Sequence, residues 1–302
     1  MNILITGVNG FLGRNIAKKL SDAGFKILGI DIQKKAISKY LDQYDSGSIL
    51  DKKFISSKIA EVDIVIHLAA ITAHEEIIDK KYQTLDINLD GTKNVLSAFN
   101  SSKKAKKFIY ASTGKVYGKI SELPLAEKST TDPINILGKS KLIAERLIDF
   151  YSTNDKTYIT FRIFQAYGAG QVDHFLIPTI IKQINFDNRD KQKITLGDIK
   201  AKRDYIHVDD IADAFSLAIS TEIETGNETF NLSSGLALSA EEIVNQIEDL
   251  FDLRIDIQSD QSLFRYDEES IEFGSYAKAE SYLGWKPKLS IREGLAKTIK
   301  EL

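Results

Sequence analysis

The chain has 302 residues, and its 43 acidic and 40 basic side chains leave a formal net charge of −3. That near balance excludes the basic footprint of a nucleic-acid or anionic-membrane binder. Cysteine is absent, which excludes disulfides, thiolate catalysis, iron–sulfur clusters and cysteine zinc sites, and the four histidines (His67, His74, His174, His207) match no metal-ligand spacing.

No basic segment followed by an apolar run opens the sequence, so no signal peptide is expected. The most apolar stretch, residues 62–73, carries Asp63 and His67 and is too short to span a bilayer. A cytoplasmic protein is the expectation. Residues 2–6 (NILIT) read as a short buried strand, and residues 11–23 as a helix closed by Gly24. Strands follow at 26–30, ending on Asp31, and at 62–68, 107–112 and 158–164. Helical patterns lie between them at 83–99 and 137–151. Alternating helices and apolar strands predict an α/β fold with a parallel sheet covered on both faces.

Beyond Gly168 the rhythm breaks. Residues 177–184 read as a helix, 193–196 as a lone strand, 207–219 as a helix, 229–232 as a strand and 240–251 as an amphipathic helix. The end, residues 275–302, carries a small helix, Gly284-Trp285-Lys286-Pro287, and a terminal helix from Ser290. The four prolines mark no linker, so two interleaved units are expected. A Rossmann-type doubly wound sheet takes residues 1–168 plus 205–233, and a smaller α/β substrate domain takes 169–204 plus 234–302.

The strongest local signal is TGVNGFLG, residues 6–13, where Gly7, Gly10 and Gly13 follow a strand and open a helix. One glycine suits a tight turn, another lets the backbone approach a pyrophosphate, and the third lets the helix pack closely on the sheet. The phosphates meet free N–H groups and the positive end of the helix. Asp31 closes the second strand at the distance expected of a ribose hydroxyl acceptor. A turn that needs glycine only for its shape is the plainer alternative. The combined context predicts a nicotinamide dinucleotide, and Asp31 favours NAD because a carboxylate repels a 2′-phosphate. Lys34 and Lys35 keep NADP open as the weaker choice.

At this point the sequence resembles the extended short-chain dehydrogenase/reductase superfamily, and within it the NAD-dependent nucleotide-sugar epimerase/dehydratase family. The resemblance rests on TGVNGFLG, HLAA (67–70), STGKVYG (112–118), GKSKLIAE (138–145), FRIFQAYGAGQ (161–171), RDYIHVDDIADA (203–214) and LGWKP (283–287). It implies that a sugar hydroxyl, usually at carbon 4, is oxidised by hydride transfer to NAD, and that the keto intermediate is epimerised or dehydrated before the hydride returns. It also implies cofactor contacts at Gly7, Asn9, Gly10, Phe11, Leu12, Gly13, Asp31, Ile49, Leu68, Ala69, Ala70, Lys141 and Phe164. Thr113, Gln165 and Arg203 are the implied substrate contacts, with Arg203 gripping the diphosphate. No metal is implied.

The departures matter as much. The family base is a tyrosine four residues before the lysine that Lys141 matches, and here that position is Leu137. Leucine moves no proton, and losing a positioned base costs roughly 10²–10⁴ in rate. Thr113, Lys115 and Lys141 are the catalytic candidates that remain. Some family dehydratases pair a lysine at the position of Lys115 with a non-tyrosine residue in the tyrosine slot, but the aspartate before their lysine is Gly114 here. A solvated loop lysine is the alternative for Lys115. Tyr117 reads as a packing residue and as a possible substitute phenol. A second family arginine falls near Ser270, so Arg265 or Arg254 is left to replace it, and Ser48 stands where an adenine-binding aspartate is common. His207, Asp209 and Asp210 read as helix-capping and packing residues.

Three functions stay open. The first is an NAD-dependent epimerase or dehydratase acting on a nucleotide-diphosphate sugar through a 4-keto intermediate. The second is an inactive relative that binds the dinucleotide and the sugar nucleotide. The third is an NAD(P)H-dependent keto-sugar reductase. A homodimer through the helices at 83–99 and 137–151 is expected.

Overall fold

The computed structural model describes residues 1–120, 122–223, 225–264 and 270–302, with only the backbone at residues 74 and 75. Arg265 lies outside the described residues. The first half runs β1 (Asn2–Thr6), α1 (Phe11–Asp22), β2 (Lys26–Asp31), β3 (Gln43–Ser46), α2 (Lys52–Ile59), β4 (Ile64–His67), α3 (His74–Asp79) and α4 (Lys81–Leu85). A π-helical turn (Asp86–Gly91) then leads to α5 (Thr92–Ser101), β5 (Lys107–Thr113), a 3₁₀ turn (Gly114–Val116) and α6 (Ile136–Tyr151). The second half runs β6 (Thr157–Ile163), β7 (Gln165–Tyr167), α7 (Leu176–Gln183), β8 (Gln192–Leu196), β9 (Lys202–His207), α8 (Val208–Ser220) and β10 (Gly226–Leu232). It ends with β11 (Ala237–Ser239), α9 (Ala240–Phe251), β12 (Ile255–Ser259), β13 (Ile271–Glu272), α10 (Ala277–Leu283) and α11 (Ile291–Lys300).

Seven strands form one sheet in the order β10-β6-β5-β4-β1-β2-β3, and every pairing in it is parallel. Parallel strands need covered faces, and both are covered. Ile16 and Leu20 of α1, Ile211 and Phe215 of α8, and Leu283 and Trp285 pack on one face. Ile55 of α2, Val95 and Phe99 of α5, and Ala144 and Ile148 of α6 pack on the other. Each such side chain gives about 1.5–3 kcal/mol for leaving water. The predicted doubly wound sheet is therefore observed. Its order reverses at β1, between β4 and β2, which opens a crevice at the carboxyl ends of the strands.

A second, smaller core gathers Ile177 and Ile180 of α7, Ile194 and Leu196 of β8, Ile243 and Ile247 of α9, and Leu295 of α11. Beside it lie a small sheet, β11-β9-β13 with β7 against β9, and the parallel pair β8–β12. Strand β9 runs across the expected 204/205 boundary.

Several sequence-based elements are corrected. The strand expected alone at 193–196 is paired along its length with β12. The helix expected at 83–99 is interrupted by the π-helical turn, because the buried Asn88 turns inward. Its Oδ1 accepts from the N–H of Ile71 at 2.9 Å, and its Nδ2 donates to the Ile71 carbonyl at 3.0 Å. The helix expected from His207 starts one residue later, with His207 as its N-cap. Strands β3, β9, β11, β12 and β13 and helix α2 had no sequence signal strong enough to register. No helix among the described residues is long and apolar enough to cross a membrane.

Candidate active site

The glycine turn shapes the crevice at β1. Gly7 has φ +71, and a β-carbon on it would lie 2.8 Å from the Ala69 backbone. A β-carbon on Gly13 would lie 2.5 Å from the Gly7 carbonyl oxygen, so α1 can pack this closely only with glycine there. Gly10 caps α1 in extended conformation and offers no side-chain hydrogen bond to the helix start. The N-terminal amides at Phe11, Leu12 and Gly13 thus face the crevice without a side-chain cap, the arrangement that receives an anion.

Asp31 closes the adjacent strand. Its carboxylate accepts the Asn9 N–H at 3.1 Å and the Gln33 N–H at 3.2 Å. The Asn9 side chain donates to the Lys35 carbonyl at 2.9 Å and to the Tyr44 hydroxyl at 3.1 Å, and accepts the Ile37 N–H at 2.9 Å. It therefore fixes the loop that follows Asp31. Ile49 packs against Gly91, where a β-carbon would come within 2.4 Å of its Cδ1.

Beneath the turn lies a buried polar string. His67 Nδ1 meets the Thr6 hydroxyl at 2.7 Å, and its Nε2 meets the Thr92 hydroxyl at 2.9 Å. Burial, with a smaller push from the charge of Lys141, lowers His67 to about 3, so the ring is neutral. The Thr6 hydroxyl also receives the N–H groups of Leu68 and Ala69, both at 3.2 Å. The HLAA segment is held against the glycine turn by these bonds.

Lys141 sits on the first turns of α6. Its Nζ donates to the Ala111 carbonyl at 2.7 Å and lies 4.7 Å from the centre of the Tyr110 ring. Burial pulls Lys141 down to about 7, opposed by the charge of Glu145. Glu145 itself takes a forked bond from Arg162, the shortest arm being 2.7 Å, and a 2.5 Å bond from Ser112. Burial opposes the charge on Arg162, but Glu145 holds it well above its ordinary value.

The end of β5 carries the other candidates. Thr113 caps the 3₁₀ turn, accepting the Lys115 N–H at 3.2 Å. Lys115 donates to Glu272 on β13 at 2.9 Å, and both side chains are almost enclosed. The loop and α6 meet here, because a β-carbon on Gly138 would lie 2.3 Å from the Lys115 carbonyl oxygen. Leu137 is half-buried in the first turn of α6 and brings no titratable group. Tyr117 is buried with its hydroxyl donating to Asn231 at 2.6 Å, and burial pushes it up to about 12. A phenol so placed packs, with its hydroxyl committed to Asn231.

Further along the chain, the half-buried Gln165 lies on β7 opposite Tyr205. Phe164 stacks over Gly114 and Gly274, where β-carbons would come within 3.1 and 2.5 Å of its ring. Arg203 is buried on β9 and donates to the Lys202 carbonyl at 2.9 Å. Next along, Asp204 receives Ser234 N–H at 2.6 Å, Gly235 N–H at 3.0 Å and Gly274 N–H at 3.2 Å, yet burial still raises it to about 6.

His207, Asp209 and Asp210 do what the sequence reading assigned them. His207 accepts the Asp209 N–H at 3.2 Å, and Asp209 pairs with Lys297. Asp210 accepts the Lys288 N–H at 3.0 Å, beside the Trp285 indole, which donates to the Asp210 carbonyl at 2.8 Å. Arg254 is exposed at the start of the β8–β12 pair. No cluster of potential metal ligands occurs among the described residues. Glu272 is the residue the sequence reading missed. No periodicity marks a strand of two residues, and its partner lies 157 positions away.

A seven-stranded parallel sheet with a glycine turn at its switch point, a buried lysine on α6 and a hydroxyl at the end of β5 define a dinucleotide-binding enzyme of the short-chain dehydrogenase/reductase class. Residues 4–298 match the family model described as GDP-mannose 4,6 dehydratase, and the chain belongs to that family of nucleotide-sugar epimerases and dehydratases. It is 30% identical over 299 residues to GDP-6-deoxy-D-mannose reductase of Pseudomonas aeruginosa, covering 97% of this chain and 94% of that one. It is 28% identical over 317 residues to UDP-glucose 4-epimerase of Lactobacillus helveticus, covering 95% and 92%. The solved UDP-glucose-4-epimerase of Stenotrophomonas maltophila with bound NAD and formylated UDP-arabinopyranose shares the fold. Its TM-score is 0.88 at 23% identity, over 100% of this chain and 97% of that one.

Proposed function

We propose that the chain binds NAD and oxidises a hydroxyl, at carbon 4, of a nucleotide-diphosphate sugar, forming a keto intermediate that is epimerised or dehydrated. One observation carries this reading. The 3₁₀ turn that carries Lys115 follows Thr113 at the end of β5 and meets the start of α6, which bears Lys141, at the carboxyl edge of the sheet.

The residues present fit the cofactor. The turn from Gly7 to Gly13 leaves room for backbone amides to meet a pyrophosphate, Asp31 offers a carboxylate to a ribose diol, and Lys141 reaches the crevice floor. When bound, the dinucleotide supplies a hydride acceptor. Thr113 would hydrogen-bond the reacting oxygen, Lys115 would handle its proton in place of the absent tyrosine, and Lys141 would hold the nicotinamide ribose. Arg203 and Gln165 receive the diphosphate end, so that residues 1–168 plus 205–233 serve the dinucleotide and 169–204 plus 234–302 serve the sugar. NAD is preferred to NADP because Asp31 faces the ribose.

The similarity to a GDP-6-deoxy-D-mannose reductase favours a second reading, a reductase that consumes NAD(P)H on a keto-sugar. Incubating the purified chain with trace NAD and a panel of GDP- and UDP-sugars separates the two. Turnover with cofactor returned unchanged supports the first. Product formed only with stoichiometric loss of NAD(P)H supports the second, and no product under either condition leaves a binding-only relative.

The chain is proposed to form a homodimer through α5 and α6, which lie side by side. Phe150 at 82% exposure and Ile143 at 46% lie on α6, and Tyr82 at 80% lies on α4 nearby. A second copy would cover them, and a monomer by light scattering would refute this. We propose a cytoplasmic location for the protein.

A further inference from the structure

Lys115 and Glu272 form an ion pair at 2.9 Å, with 11% and 8% of their side chains exposed. Exposed pairs of this kind contribute little, and enclosed ones cost desolvation, so stability alone is a weak reason to build one. Two features make the place of Glu272 specific. A β-carbon on Gly114 would lie 3.2 Å from Glu272 Oε1 and 3.1 Å from the Phe164 ring, so the carboxylate packs directly over the bare backbone at 114. Strand β13 is also pinned to β9 with Glu272 opposite Arg203, and residues so paired share a face. Arg203 is thus a charged neighbour on that face, while Asp204 turns the other way into its three amide donors.

We propose that Glu272 is the positioning carboxylate of Lys115, aiming the ammonium at the end of β5 and taking up the proton that substrate oxidation releases. The inference rests on the reading above that a sugar hydroxyl is oxidised here. The hydroxyl O–H bond breaks and its proton goes to Lys115 Nζ, while an Nζ proton passes to Glu272 Oε2. The O–H electron pair becomes the second carbon–oxygen bond as the carbon's hydrogen departs with its own pair to a nicotinamide acceptor. Lys115 keeps its charge, Glu272 ends protonated, and the return step reverses the transfers.

The test compares the full chain, Glu272→Gln and Glu272→Asp with NAD and the nucleotide sugar that the unaltered chain turns over best. Dinucleotide affinity is read by calorimetry. The expected result is a fall in kcat of about 10²-fold or more for Glu272→Gln, the scale of a lost proton-transfer group. KM and dinucleotide affinity should stay near those of the unaltered chain, and Glu272→Asp should recover much of the loss. Unchanged kcat in Glu272→Gln overturns the inference, as does a joint loss of both ligands that Asp does not rescue, since that marks a merely structural residue. If the unaltered chain binds dinucleotide but processes no nucleotide sugar in either direction, the functional reading fails and takes this inference with it. If the unaltered chain is active and Glu272→Gln equally so, the inference alone fails.

Discussion

The glycine turn at residues 6–13 and the polar cluster at the end of β5 lie along the same carboxyl edge of the sheet but are assembled differently. The glycine spacing of the turn answers to contacts within it, Gly10 N–H donating to the Gly7 carbonyl at 3.1 Å and Gly13 clearing that same carbonyl only because it lacks a β-carbon, while Ala69 and Asp31 brace it from outside. The cluster is built from distant pieces, with Thr113 on β5, Lys141 on α6, Arg203 on β9 and Glu272 on β13. A locally closed motif can be read along the chain. A site assembled by sheet pairing cannot, because the pairing decides which side chains meet.

That difference predicts where substitutions will hurt most. Gly13→Val places a side chain against two backbone carbonyl oxygens, at 2.5 and 2.7 Å from its β-carbon. No rotamer relieves that clash, so calorimetry should find dinucleotide binding abolished, and the melting temperature should fall by the equivalent of about 1–3 kcal/mol of overpacking. Retained binding would break the comparison at its local end.

Lys115→Met tests the distant end. Turnover should drop roughly 10²–10⁴-fold while dinucleotide affinity is kept. Loss of binding together with turnover would show that the two halves are not separable.

Arg162→Met breaks the enclosed pair with Glu145 beneath the cluster. Urea unfolding should show a loss of about 3–5 kcal/mol, because one buried charge is left alone. Replacing both partners with apolar residues should cost less.

A pH dependence is also expected. His67 is lowered to about 3 in the folded chain from an ordinary 6.5. A lowered base contributes stability that is fully present above the unfolded value and lost as pH falls through the window from 6.5 toward 3. Unfolding free energy should therefore fall on acidification across that window, by an amount on the order of a few kcal/mol. In His67→Gln the slope should be shallower, although that variant starts less stable. Equal slopes would remove His67 from the account.

The same contrast explains how far the sequence could be read. Strands β1, β2, β4, β5 and β6 are apolar runs bounded by turn residues, and α1 and α9 have clear apolar faces, so pattern alone locates them. The roles of His207, Asp209 and Asp210 followed from their place at a helix start. The strands β9, β11 and β13 are short or lack a clear apolar alternation, and they exist because β9 lies between partners from three other segments. The π-helical turn at Asp86–Gly91 depends on Asn88 reaching the backbone of Ile71, which no helical periodicity records. That Leu137 stands where a base is expected followed from the family resemblance, four residues before Lys141. The carboxylate that meets Lys115 could not be read in this way, since nothing along the chain links residues 115 and 272.

The account depends most directly on the dinucleotide, and titrating NAD and NADP into the folded chain by calorimetry tests it. The prediction is saturable binding of NAD, with NADP weaker because Asp31 meets the additional phosphate. Heats indistinguishable from dilution for both, in oxidised and reduced form, would contradict it.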